Sequence, residues 1–268
     1  MPRAEPALKL GHAITLGLVQ GPAELLPVSS SAHTALVPWL AGWPYTELDG
    51  ELRKSFEVAL HAGTALALAL EMSDELGDFD RERVILLVLS LGPAALAGYL
   101  FREPIERRLG DPVSIAAGLI LGGFAMALTD QGAGGRTRAD AGALDGLLLG
   151  VAQASALIPG VSRHGATLTA ARARGFARGP AQALSWETGL PVILAAVALK
   201  GSRLLRHGVP ASARAPLAAG AASAFLSTLA SARVLRDGRR SGRALAPYAL
   251  YRCLLALLVL GHGRRGGR

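Results

Sequence analysis

The sequence has little of what a disulfide-bonded protein or a soluble metalloenzyme needs. Cys253 is its single cysteine, so neither a disulfide framework nor a thiol metal cluster can form. The chain also has no Gly-rich loop ending in Gly-Lys-Ser/Thr and no His-Glu-x-x-His pair, which leaves ATP-driven transport and zinc proteolysis without support. We expect no cleavable signal peptide, because Glu24 and further apolar sequence follow the first apolar run.

What the sequence does contain is mostly apolar. Hydrophobic residues make up 51% of the 268 positions, aromatic residues only 5%, and the mean hydropathy is +0.36. Soluble chains of this length rarely average above zero, and small residues let helices approach closely in lipid. The net charge of +8 comes mostly from arginines in short breaks between apolar runs, which suits loops facing lipid head groups. We therefore expect a membrane protein without a nucleic-acid partner.

About six segments are predicted to cross the membrane. Three of them have 18 residues and no charge, and at about 1.5 Å per residue such a helix nearly crosses a core of roughly 30 Å. The other three carry a few polar residues. Because Lys and Arg are nearly balanced between the two faces, the positive-inside rule assigns no orientation. The segments are Val84–Phe101, Pro112–Thr129, Ala215–Ala232, Phe56–Met72, Ala181–Leu199 and Leu245–Gly261.

Two regions, Leu10–Leu40 and Ala143–Ala173, do not fit simple spans. Each has an apolar arm, a break rich in Pro, Ser and Gly, and a second short arm. Non-helical backbone at membrane depth persists only where it is buried in protein or lines a wet cavity. Both regions are therefore predicted to be re-entrant helix hairpins.

The two broken regions resemble each other. The stretch "LGLVQGPAELLPVSSSAHT" from Leu16 aligns without a gap to "LGVAQASALIPGVSRHGAT" from Leu149. Three predicted spans separate the copies, and an odd number of crossings makes the second copy enter from the opposite face. The sequence thus predicts an all-α integral membrane protein with one membrane domain, residues 1–268, built as an inverted-topology repeat of about 8–129 and 141–262. Such folds place their polar site where the two broken elements meet.

The first break, "QGPAELLPVSSSAH", collects polar side chains at membrane depth. Gln20 and Glu24 share one helix face because they are four residues apart. Ser29 and Ser30 stand at the start of the next arm, where hydroxyls and free backbone N–H groups suit an anion, and His33 can exchange a proton near neutral pH. The serines could equally serve only as helix caps, but buried charge is costly, and Glu24 together with His33 favours a functional site.

The second break, "PGVSRHGAT", supplies the complementary chemistry. Ser162 and Thr167 offer hydroxyls, and Arg163 offers a planar cation that grips phosphate through two parallel hydrogen bonds. Arg163 could instead only neutralise Glu24, and His164 is assigned no role. The two breaks together offer one acid, one titratable base, several hydroxyls and one arginine, in a place that a lipid can reach. This combination indicates phosphoryl chemistry on a lipid-borne phosphate.

At these motifs the chain resembles the undecaprenyl-diphosphate phosphatases, also called bacitracin-resistance proteins. "QGPAELLPVSSSAH" is similar to the family's (E/Q)xxxE motif followed by its PVSS-x-x-H segment, and "PGVSRHGAT" to its PGxSRSxxT motif. "FEVALHAGTALALAL" and "PYALYRCLLALLVL" resemble two of its flanking helices. The chain departs from the family pattern at Pro22, Ala32 and His164.

The resemblance implies a metal-dependent hydrolase of the cytoplasmic membrane, with its site open to the outer side. It implies hydrolysis of a polyprenyl diphosphate to the monophosphate, which recycles the lipid carrier of wall synthesis. The implied cofactor is a divalent cation, Mg²⁺ or Ca²⁺, the implied partners are the lipid and the membrane, and a homodimer is left open. The implied site residues are Glu24, Ser30, His33 and Arg163 for catalysis, Ser29, Ser162 and Thr167 for the phosphate, and Gln20 and Glu24 for the metal.

These residues can be given roles, although two alternatives stay open. Ser30 is assigned as the nucleophile or as the group that orients an attacking water, and Glu24 as a metal ligand or the activator of that attack. His33 is assigned as acid/base and Arg163 as the stabiliser of charge on the phosphoryl group. The rival function is a transporter or flippase, because inverted repeats with broken helices are a transporter design.

Overall fold

A computed structural model shows the chain as helices joined by short connections over the residues it describes, 7–73, 80–132, 134–241 and 244–266. A short 3-10 turn lies at Arg138–Asp140. The α-helices in these ranges are α1 (Leu10–Leu25), α2 (Ser30–Leu40), α3 (Gly50–Glu71), α4 (Arg81–Leu109), α5 (Pro112–Thr129), α6 (Ala143–Ser155), α7 (Arg163–Ala173), α8 (Arg178–His207), α9 (Ala211–Ser241) and α10 (Ala246–Gly266).

Within the described ranges, five helices are long and apolar enough to cross a membrane: α4, α5, α8, α9 and α10. The other predicted span, Phe56–Met72, falls on α3 and its C-cap. This helix is not among the five, because charged residues stand at both of its ends: Glu51, Arg53, Lys54, Glu57 and Glu71. The protein is thus an all-helical, multi-pass membrane protein. Large hydrophobic side chains are exposed on the spans, as contact with lipid requires, for example Val88, Leu121, Leu226 and Leu257.

Both broken regions form a helix, a short break and a second helix, as the sequence predicts. The break between α1 and α2 ends at Ser29, and the break between α6 and α7 ends at Ser162. These two serines have φ of 74° and 69°, and each hydroxyl accepts a hydrogen bond from the backbone of the helix that follows. A positive φ costs energy for a residue with a β-carbon, and such conformations cluster at functional sites.

Glycines allow the closest helix contacts. A β-carbon on Gly17 of α1 would overlap α9, and one on Gly150 of α6 would overlap α4. Later residues of α1 contact later residues of α9, and later residues of α6 contact later residues of α4. Helix α1 therefore runs parallel to α9, and α6 runs parallel to α4. Gly17 and Gly150 are aligned in the predicted repeat. Each packs against a helix of the other copy, α1 against α9 and α6 against α4, as a two-fold relation between the copies requires. The repeat bounds themselves stay a prediction.

Helix direction assigns the helix ends to two faces of the molecule. We call the first face the one where α1, α3 and α9 begin and where α8 ends, and the second face the one where α4, α6 and α8 begin. Ion pairs of arginine with buried aspartate tie helix ends together at the second face. They join Asp130 to Arg172 and Arg178, and Asp145 to Arg136 and Arg174.

Candidate active site

Glu24, in the last turn of α1, lies at the centre of the site. Its side chain is buried, and Oε2 accepts hydrogen bonds from the Ser30 hydroxyl at 2.6 Å and from the Gln20 amide at 3.3 Å. Arg163 Nη2 donates to Oε1 at 3.1 Å, and His61 Nε2 lies 3.9 Å from Oε2. Because Glu24 and Arg163 belong to different hairpins, 139 residues apart, the predicted meeting of the two breaks is confirmed.

The N-termini of α2 and α7 share one cavity of about 200 Å³. Ser29–Ser31 from the first hairpin and Ser162–His164 from the second line it together with Glu24. The first N–H groups of an α-helix have no intrahelical acceptor, and the helix dipole places partial positive charge beside them. Two such termini at one cavity make a binding place for an anion.

Arg163 owes its position to a glycine on α8. A β-carbon on Gly189 would overlap Nη1 of Arg163, so the guanidinium fits only because this helix position has no side chain. Nη1 is buried and has no hydrogen-bond partner among the described residues. A buried donor without a partner requires an explanation, and a phosphate oxygen is a ligand that a guanidinium matches well.

Three predicted site residues lie outside the set that lines the cavity: Gln20, which reaches it only through its contact with Glu24, and His33 and Thr167. His33 Nδ1 is 2.7 Å from the carbonyl oxygen of Ser29, and Nε2 is 2.6 Å from the hydroxyl of Tyr251 on α10. Thr167 is fully buried, and its hydroxyl contacts that of Ser185 on α8. The contacts of His33 and Thr167 hold the start of α2 and the first turns of α7 against neighbouring helices.

The structure also brings in residues that the sequence analysis did not single out. His61 on α3 and Lys200 on α8 both line the cavity. The signal for His61 was its place inside the apolar stretch "FEVALHAGTALALAL", and the signal for Lys200 was a cation directly after a predicted span. Gly189 gave no signal, because a glycine in a membrane helix has many structural uses.

A divalent cation fits this site only with help from a bound phosphate. Gln20 Oε1 is buried without a hydrogen-bond partner, one helical turn from Glu24. Among the described residues no group of three or more His, Cys, Asp or Glu could hold a metal by itself. Mg²⁺ is often held by one or two carboxylates plus substrate phosphates, so Gln20 and Glu24 suit a cation whose remaining ligands come from the substrate and water.

Arg252, on α10, ties the two breaks together from behind the cavity. The side chain is fully buried, and among the described residues its guanidinium makes no ion pair with a carboxylate. It donates instead to backbone carbonyl oxygens of the first break, the second break and α5. These belong to Pro27, Gly160, Val161, Gly118 and Leu119, at 2.8 to 3.3 Å. One side chain therefore fixes the two capping segments relative to each other.

We expect Arg252→Met to lower the melting temperature in detergent and the turnover together. Methionine fills much of the volume but donates no hydrogen bond, and each buried acceptor left without a partner costs about 1–3 kcal/mol. Arg252→Lys should fall between the two proteins, because a compact ammonium cannot reach both breaks as a planar guanidinium does. An unchanged melting temperature for Arg252→Met would contradict this role.

A multi-pass helical protein with this site belongs to the class of intramembrane proteins that act on an anionic group, here with a serine, a carboxylate and an arginine in contact. The family described as "Bacitracin resistance protein BacA" matches residues 13–258, and the chain belongs to that family. The chain is 41% identical to the undecaprenyl-diphosphatase of Geobacter sulfurreducens, over 94% of this chain and 97% of the relative. It is 38% identical to that of Pelobacter propionicus, over 92% and 94%, and 35% identical to that of Thermomicrobium roseum, over 94% and 98%.

Proposed function

We propose that this protein removes the terminal phosphate of undecaprenyl diphosphate in the cavity that Glu24, Ser30 and Arg163 share. It is a phosphatase of the BacA family, so it recycles the lipid carrier of cell-wall synthesis and confers bacitracin resistance. One observation carries the assignment of the site: a buried carboxylate contacts a serine hydroxyl at 2.6 Å and a guanidinium at 3.1 Å. Those groups are the parts that phosphoryl transfer needs.

Ser30 is in position to attack the terminal phosphorus. Its hydroxyl already donates to Glu24, so the carboxylate can take the proton as the oxygen bonds to phosphorus. The bond from that phosphorus to the bridging oxygen then breaks, and undecaprenyl monophosphate leaves. A water molecule frees phosphate from Ser30 in the second step. In the alternative, water attacks directly and Ser30 only orients it; rapid-quench detection of a phosphoserine separates the two.

Arg163 changes partners when substrate arrives. Without substrate its Nη2 pairs with Glu24. A diphosphate in the cavity competes for the guanidinium and draws it toward the phosphate oxygens, where it stabilises the charge of the transition state. The N–H groups of Ala32 and Gly165 already donate to the hydroxyls of Ser29 and Ser162, and the other first N–H groups of α2 and α7 assist in holding these oxygens.

Gln20 and Glu24 would hold a divalent cation, Mg²⁺ or Ca²⁺, and the cation would neutralise part of the diphosphate charge.

His33 and Thr167 act in this proposal from behind the cavity. His33 orients the Ser29 carbonyl that begins α2, and Thr167 fixes the first turns of α7. His33 thereby supports Ser30 through the backbone. A homodimer stays a prediction, to be checked by the mass of the detergent-solubilised protein.

We infer that the cavity opens toward the first face, because its lining on α8 continues to Lys200, and that this face is the outer side of the cytoplasmic membrane, as the family resemblance implies. Arg178 begins α8 at the second face, and Gly189 lies eleven residues further along, or about 16 Å at 1.5 Å per residue. That is close to half of a core of roughly 30 Å. The residues of α8 that line the cavity continue from there to Lys200, toward the first face.

The protein in detergent should release inorganic phosphate from undecaprenyl diphosphate, and a metal chelator should stop the release. Hydrolysis needs no membrane gradient, whereas transport does. The measurement is phosphate set free per protein per minute, with Ser30→Ala as the control. Tight binding of the lipid without phosphate release would favour the transporter and contradict the proposal.

A further inference from the structure

One stripe of α8 connects the reacting end of the cavity to the first face. Gly189 contacts the Arg163 guanidinium, and Val192, Ile193, Ala196, Val197 and Lys200 line the cavity beyond it. Residues three and four apart lie on one helix face, so these side chains form a continuous row. The row begins beside a cation, continues as an apolar wall and ends in a second cation.

The Lys200 ammonium can approach the Arg163 guanidinium more closely than the separation of Lys200 from Gly189 along α8 suggests. Lys200 follows Gly189 by eleven residues, or about 16 Å along the helix axis. A helical side chain leans toward the N-terminus of its helix, which directs Lys200 over the turn of Ala196 and Val197, toward Arg163. The guanidinium and the ammonium thus approach one cavity from its two ends. A diphosphate has two anionic groups joined by one oxygen, and it suits two cations arranged in this way.

We propose that Lys200 binds the phosphate that stays with the lipid, while Arg163 binds the phosphate that is removed. This inference rests on the proposed function, because it divides the substrate of that same site between two cations. When the bridging bond breaks, negative charge develops on the oxygen that leaves with the lipid phosphate, and the Lys200 ammonium stabilises it.

Two measurements on the purified full-length protein test this assignment. The first compares the turnover of undecaprenyl diphosphate by the wild type, Lys200→Gln and Lys200→Arg. The second measures equilibrium binding in a Glu24→Gln background, in which turnover is expected to be about 10³-fold slower, with undecaprenyl diphosphate and with inorganic phosphate as probes. Lys54→Gln is the matched control, since it removes the same charge from an exposed position at the start of α3, outside the cavity lining.

We expect Lys200→Gln to lower kcat/KM by about tenfold or more, the effect of losing one hydrogen bond to a charged group. Lys200→Arg should recover most of the loss. In the binding measurement the affinity for undecaprenyl diphosphate should fall about tenfold while that for inorganic phosphate changes less than about twofold, because a single phosphate occupies the Arg163 end alone. Lys54→Gln should match the wild type.

Three results would overturn the inference. One is a Lys200→Gln protein with wild-type kcat/KM and affinity. Another is an equal loss of affinity for both probes, which would mean that Lys200 acts as a general surface charge. The third is a loss that Lys200→Arg does not recover and that a lower melting temperature accompanies, which would make Lys200 a structural residue. Failure of the proposed function looks different: the wild type would release no phosphate, while the binding measurement would still report on Lys200.

Discussion

Glu24→Gln should lose about 10³-fold in turnover, in the range that a positioned base contributes, while the protein still inserts and purifies as one species. Glutamine keeps the size of the side chain, so Ser30 and Gln20 keep a hydrogen-bonding neighbour. It cannot take the Ser30 proton, and it carries no charge for Arg163 or a cation. The measurement is phosphate release at saturating substrate.

A double variant makes the test of Glu24 independent of folding. If Glu24 acts by activating Ser30, then Glu24→Gln and Ser30→Ala impair one step, and the double variant should be about as slow as either single variant. Gln20→Ala serves as the milder comparison, because an amide orients a neighbour but is not a base. Near-wild-type turnover in Glu24→Gln, or losses that simply multiply in the double variant, would show that Glu24 has no part in activating Ser30.

The architecture could be predicted where the cost of polar groups in lipid leaves few choices. Leu10–Leu40 and Ala143–Ala173 had to break and be buried in protein, because their serines, prolines and charges cannot face hydrocarbon. Glu24 and Arg163 had to meet for the same reason, since each needs a partner that lipid does not supply. The number of spans was harder to predict. Helix α3 forms, but the charged residues at its ends make it less apolar than the five other long helices.

The finer geometry of the site could not be predicted, because it depends on contacts between distant helices. The sequence names His33 as titratable, but it does not show that Tyr251 on α10 occupies one ring nitrogen and the Ser29 carbonyl the other. In the sequence Arg252 is one more charge in a membrane helix, and its hydrogen bonds to backbone carbonyl oxygens of the second break cannot be predicted. The sequence also does not predict the positive φ of Ser29 and Ser162, because serine rarely adopts this backbone conformation.

Arg163→Lys should be almost as damaging as Arg163→Ala, with a loss of about 10²-fold or more in turnover, the usual effect of removing a preorganised donor to a developing charge. Lysine keeps the positive charge beside Glu24, but it lacks the planar fork that holds two phosphate oxygens at once. A cation that only neutralised Glu24 would be replaceable by lysine. The comparison of the two variants therefore separates phosphate recognition from charge balance.

Gly189→Ala tests the position of the guanidinium without changing it chemically. The added methyl group would overlap Nη1 of Arg163, and because the guanidinium is the end of a flexible side chain, it can move aside at little cost to the fold. We expect the melting temperature to stay near that of the wild type while turnover falls by about 10²-fold, since small misplacements of a positioning group cost that much. Gly201→Ala, on the same helix with nothing near its added methyl group, is the matched control and should retain activity. Full activity in both Arg163→Lys and Gly189→Ala would mean that neither the shape nor the place of the guanidinium matters, and Arg163 would then be no more than the counter-charge of Glu24.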